Sequence, residues 1–168
     1  MARVRLFVTA CIAALLAAAP AASGADPTAV ERYVILANGE RVGFTEVTAR
    51  DGEVAVDYQI DNNGRGPKIR ERLRVGAAAL PVEWELRGTS EAGARVEERF
   101  STGGGRASWK TLNDEGTAET SGGLYLANDA TPWDLGLFAR AALAAPGGTV
   151  RTLPSGTLTA TRLRQVQV

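Results

Sequence analysis

Two glutamates stand where apolar side chains belong. In the run 68–75 one set of alternate positions carries Ile69, Glu71, Leu73 and Val75, and in the run 94–101 it carries Val96, Glu98 and Phe100. A strand repeats its facing side chains every second residue, so Glu71 and Glu98 share rows that should be dry. A buried carboxyl must be paired, accept hydrogen bonds or hold its proton above the ordinary range. Two such groups are raw material for general acid/base chemistry. The structural alternative is an ion pair with an inward arginine, or a row whose end reaches solvent. That alternative is preferred, because no other group in the chain supports a reaction.

Aromatic residues are the second candidate set. Trp84, Trp109, Trp133 and Phe138 would suit the lining of an apolar cleft, yet each sits where strand alternation or helix spacing calls for a core side chain. The core reading is the better one. Metal chemistry has little to draw on: histidine is absent and Cys11 is the only cysteine, which removes the usual transition-metal donors and the commonest general base. Asp57, Asp61, Asn62 and Asn63 before Gly64 suggest a calcium loop only faintly. Their spacing is not that of an EF-hand, and Lys68 stands where a bidentate glutamate would be needed. The Gly103, Gly104, Gly105, Arg106 run lacks the lysine and the following helix of a phosphate loop and reads as a hairpin turn. No serine has a histidine to activate it, so a hydrolytic triad is excluded.

The elements that position these residues follow from turn chemistry and period. Asn38-Gly39 and Asp51-Gly52 are type I′ hairpin signals, because both central residues of such a turn need positive φ. They separate strands expected over 30–37, 40–50 and 53–61. Further strands are expected over 68–75, 82–87 and 94–101, with rows that alternate between apolar and charged, and over 106–112, which brings in Trp109. The basic row of 68–75 and the acidic row of 82–87 could pair across strands. The stretch 113–123 is polar and reads as a mobile loop, with a short strand over 124–127. Thr131-Pro132-Trp133-Asp134 is a helix start, and Pro146-Gly147-Gly148 ends the helix near Ala145. A last β-prone run spans 157–168. The fold class is therefore mainly β: a curved antiparallel sheet, or an incomplete β-sandwich or half-barrel, with one α-helix (132–145) packed on it.

Residues 1–25 read as a signal peptide. Arg3 and Arg5 precede an uncharged apolar run, and Ser23-Gly24-Ala25 offers a small-residue cleavage site. The run is too short to span a bilayer. Residues 26–168 then form a single β-rich domain, periplasmic or secreted, with no cysteine and so no disulfide. The whole chain has 19 basic and 19 acidic residues, of which the signal holds two basic and no acidic ones. The remainder is slightly acidic, which gives no reason to expect nucleic acid, or a membrane after signal cleavage, as partner. The final run lacks a hairpin partner in this reading, so the domain is expected to be truncated at its C-terminal end.

The segments NGERVGFTEVTARDGEVAVDYQIDNNGRGPKIRE, LPVEWELRGTS, VEERF, ASWKTLNDEG and LYLANDATPWDLGLFARAAL cover most of 38–143. In length and order they resemble the N-terminal β-rich region of exported, metal-dependent bacterial amidohydrolases. In that family the region precedes a TIM-like barrel that holds a divalent metal through a His-x-His pair and further groups. No such histidine exists here, so the resemblance implies a noncatalytic accessory domain. Its partner would be the catalytic barrel of a parent enzyme, and this chain would hold no cofactor itself. The alternative from a different class is a stand-alone periplasmic module that encloses a small apolar ligand between sheet and helix.

Overall fold

Hairpin chemistry builds most of the molecule. The computed structural model describes residues 29–76, 79–120 and 122–163; the signal segment 1–25 lies outside them. Eight strands follow one another as an antiparallel meander in strict chain order: β1 (Ala29–Ala37), β2 (Glu40–Arg50), β3 (Glu53–Ile60), β4 (Lys68–Val75), β5 (Pro81–Thr89), β6 (Arg95–Gly103), β7 (Arg106–Thr111) and β8 (Glu115–Glu119). The sheet is open, with β1 and β8 at its edges. Asn38 and Gly39 have φ of 53° and 85°, and Asp51 and Gly52 have 52° and 76°. Both hairpins therefore turn as their sequences require.

Two rules of alternation organise the sheet. The inner face carries Val47, Val56, Tyr58, Ile69, Leu73, Trp84, Leu86, Val96, Phe100 and Ala107, all buried. The outer face carries charge in register. Arg74 stands opposite Glu83, and Glu85 opposite Arg99, with N–O separations of 3.9 and 3.1 Å. Arg70 reaches Asp57 on β3 at 3.6 Å, and Lys110 meets Glu115 at 2.7 Å. The ion pairing expected between β4 and β5 thus forms at Arg74–Glu83. Glu85 turns instead to Arg87 and Arg99. These groups are largely exposed, so each pair contributes about 0–1 kcal/mol.

A second layer covers the inner face. After β9 (Leu124–Tyr125) come the helix α1 (Pro132–Ala144), a 3-10 turn (Pro146–Gly148), β10 (Thr149–Leu153) and β11 (Thr157–Thr159). β9 and β10 pair in parallel, and β10 and β11 form a hairpin. Leu137, Phe138, Ala141 and Ala142 bury the inward side of α1, and Leu124, Tyr125, Val150 and Leu153 complete the core. The fold is the mainly β sheet with one packed helix that the sequence implies.

Three expectations need correction. The polar stretch 113–123 is not simply a loop, since Glu115–Glu119 forms edge strand β8. Its inward positions are Gly116 and Ala118, too small to register as an apolar row. Gly116 is required there, because a Cβ would lie 2.3 Å from the Trp109 ring. Residues 149–153 form the unforeseen strand β10. The final strand is not 157–168: within the described residues it is Thr157–Thr159, and its hairpin partner, β10, is present.

Candidate functional site

The two glutamates prove to be the polar anchors of the second layer. Glu71 is 2 % exposed at the middle of β4, and Glu98 is 1 % exposed on β6. Among the described residues neither forms an ion pair with an arginine, and neither row end reaches solvent at these positions. Each is answered by a neutral or acidic group from the covering layer. That outcome corrects the arginine expectation. The arginines on β4 and β6 occupy the opposite face, from which a side chain cannot cross the sheet.

Glu71 receives the indole N–H of Trp84 at Oε2, 3.0 Å away. Its other neighbour is Asp134, fully buried in the first turn of α1. The Asp134 carboxylate accepts the Thr131 backbone N–H at 2.6 Å and the Thr131 hydroxyl at 3.0 Å, both on Oδ2. A carboxylate near a helix N-terminus is favourably placed against the helix dipole. Glu71 Oε1 and Asp134 Oδ1 are, among the described residues, the two buried side-chain oxygens left without a donor. One proton held between the carboxyl groups satisfies both. Burial, then the charge and hydrogen bond of Asp134, push Glu71 up to about 9, while Thr131 and Trp84 act against the shift. Burial raises Asp134 as well, opposed by its hydrogen bonds from Glu71 and Thr131. The two carboxyl groups titrate together, and the pair holds its proton above the ordinary carboxylate range.

Glu98 anchors the segment before α1. The Tyr125 hydroxyl donates to its Oε1 at 2.5 Å, and the Asn128 N–H reaches Oε1 and Oε2 at 3.3 and 3.1 Å. Burial raises the Glu98 carboxyl, and these donors partly offset it. Tyr125 is raised in turn, by burial and then by the Glu98 hydrogen bond. Its ring stacks on Phe100 at 4.3 Å between centroids and lies 6.3 Å from Trp109.

Three of the four candidate aromatics are gathered at the same layer boundary. Trp84 is 2 % exposed and packs against Phe138 of α1, centroids 6.1 Å apart, and edge-on to Tyr125 at 6.4 Å. Trp109 covers Gly116 and donates its N–H to Asp114 at 3.3 Å. Trp133 is apart from the others: half-buried at the start of α1, it is covered by the Arg140 guanidinium at 5.7 Å. The structure therefore brings Glu71, Trp84 and Phe138 into one cluster, with Glu98 and Trp109 joined to it through Tyr125.

Sequence reasoning missed Asp134, Thr131 and Tyr125 as partners of these groups. The helix-start pattern singled out Asp134, but only as a local cap. A cap aspartate opposite an inward glutamate becomes a pair only once the helix docks. The arrangement fixes a helix to a sheet and offers no reacting group to solvent. The Asp61 carboxylate accepts the Gly64 N–H at 2.8 Å, as a turn requires. No set of three or more His, Cys, Asp or Glu able to hold a metal occurs among the described residues. In the same residues no helix is long and apolar enough to cross a membrane.

Against models of protein families, curated proteins and solved structures, the chain has no match.

Proposed function

We propose that this chain is a noncatalytic accessory module, working after export in the periplasm or outside the cell, that docks a larger partner through the outer side of α1. One observation carries this reading: α1 is apolar on both sides. Its sequence, PWDLGLFARAALA, has only Asp134 and Arg140 as charges, and Asp134 is buried. Leu135, Ala139 and Leu143 form an i, i+4, i+8 stripe on the side facing away from the sheet, with Leu135 66 % and Leu143 45 % exposed. A helix on a domain surface normally turns charge outward, and one that is apolar all round is normally covered. The partner is the metal-binding barrel of an exported amidohydrolase, the class to which the segments 38–143 show a resemblance. Trp84 and Phe138 pack against each other between sheet and helix, and this supports docking over the enclosure of a small ligand.

The test is calorimetric titration with a barrel of that class lacking its own N-terminal β-rich segment. Wild type binds it saturably; Leu135→Lys with Leu143→Lys weakens binding at least about tenfold, the loss of one buried apolar anchor or more. A barrel that ignores the wild-type chain overturns the partner assignment. Metal-dependent hydrolysis of amides or esters by the chain alone overturns the noncatalytic reading.

A further inference from the structure

The two edges of the large sheet are built differently. β8 is five residues long, carries Glu115 and Glu119, and has its Glu119 carbonyl reached by Arg151 of β10 at 3.5 Å. Short length, charge and cover are the usual ways of blunting an edge. β1 is not short, has no strand on its outer edge among the described residues, and carries two charges, Glu31 and Arg32, that are drawn into contacts within the chain. It is nine residues long, reads AVERYVILA without lysine or proline, and pairs only with β2 among the described residues. Val30, Tyr33, Val34 and Leu36 are 51–61 % exposed. They are four of the eight large apolar side chains that stand exposed in the described chain.

The two charges of β1 are already engaged within the chain. Arg32 binds Glu46 of β2 at 2.7 Å, and Glu31 accepts the Tyr33 hydroxyl at 2.7 Å. No net repulsion therefore guards the edge. Val30, Val34 and Leu36 lie on the outer side, where Val34 stands opposite the half-buried Phe44. Apolar side chains here take outer positions that β4, β5 and β6 fill with charge.

We propose that β1 is the pairing edge for a second copy of this chain, the two β1 strands meeting antiparallel about a two-fold axis at Tyr33. A two-fold contact must be self-complementary: if one residue meets another, the reverse pair forms too. Antiparallel pairing also keeps partners on the same face. Centring on Tyr33 uses all nine residues, from Ala29 opposite Ala37 to Val30 opposite Leu36 and Arg32 opposite Val34. Centring on Glu31 or Arg32 would instead set like charges against each other. The Tyr33 register buries Val30 and Leu36 twice and opposes no like charges directly.

Sedimentation velocity of the full chain across a concentration series tests the pairing. Wild type shows a monomer–dimer equilibrium, and Val34→Lys weakens it by roughly tenfold or more with its melting temperature retained. A second arm covers a variant that fails to fold. Tyr33→Cys in a Cys11→Ser background yields an interchain disulfide on mild oxidation, because residues opposite across an antiparallel pair lie about 4.5–5.5 Å apart at Cα. A wild-type chain that stays monomeric at every concentration overturns the proposal. So does a dimer unaffected by Val34→Lys, or a Tyr33→Cys chain that forms no cross-link. None of these outcomes touches docking through α1, which the Leu135 and Leu143 substitutions read separately.

Discussion

Replacing Glu71 by glutamine should convert a pH-dependent fold into one that is much less so. Glu71 titrates at about 9 in the folded chain against an ordinary value of 4.5. Its folded pKa is raised, so the folded state holds a proton that the unfolded chain releases above about pH 4.5. The pair's full contribution is present below that pH and is lost progressively as pH rises toward 9. Each unit of pH in this window costs on the order of 1.4 kcal/mol. With the group moving from 4.5 to about 9, the loss is on the order of 3 kcal/mol at pH 7 and 6 kcal/mol at pH 9. Against a domain stability of about 5–15 kcal/mol, that is a measurable softening. The glutamine introduced by Glu71→Gln can still accept the Trp84 N–H through its carbonyl, and its amide N–H can serve Asp134 Oδ1 at every pH. Urea unfolding followed by tryptophan fluorescence from about pH 5 to pH 10 reads the effect. Glu71→Gln should lie close to wild type near pH 5 and become the more stable protein by roughly several kcal/mol near pH 9. Parallel stability curves for the two proteins would refute the shared proton. A variant less stable at every pH would show that the amide does not fit.

Other substitutions probe the remaining anchors. Tyr125→Phe removes the short hydrogen bond to Glu98 and should cost about 1.5–3 kcal/mol in urea unfolding, the range for a bond to a charged group. Gly116→Ala drives a methyl into the Trp109 ring and should lower stability by about 1–3 kcal/mol, with a changed tryptophan emission. Glu85→Gln, by contrast, removes the partner of Arg87 and Arg99 on the exposed face and should cost under about 1 kcal/mol, with a smaller effect in high salt.

Most of the large sheet is legible in the sequence because its signals are local. Asn38-Gly39 and Asp51-Gly52 fix two hairpins, and alternation from Val54 to Phe100 assigns the faces of β3 to β6. The helix start at Thr131-Pro132 is likewise a short-range pattern. β8 escaped because an edge strand can meet the sheet with glycine and alanine, leaving only its outward glutamates and threonine to be read. β10 escaped because its parallel pairing with β9 spans an intervening helix. The site was half legible: alternation shows that Glu71 and Glu98 point inward, but the identity of their partners is a matter of tertiary docking. An inward carboxyl invites the guess of an inward arginine. The molecule answers one with a proton shared with Asp134 and the other with a tyrosine and a backbone amide.

Docking through α1 can be read at single side chains by oxidative footprinting with and without the amidohydrolase barrel. Leu135 and Leu143, exposed in the free chain, should become protected when the barrel is added, while Leu112 keeps its reactivity. Unchanged oxidation at Leu135 and Leu143 in a mixture that forms a complex would contradict docking through that helix.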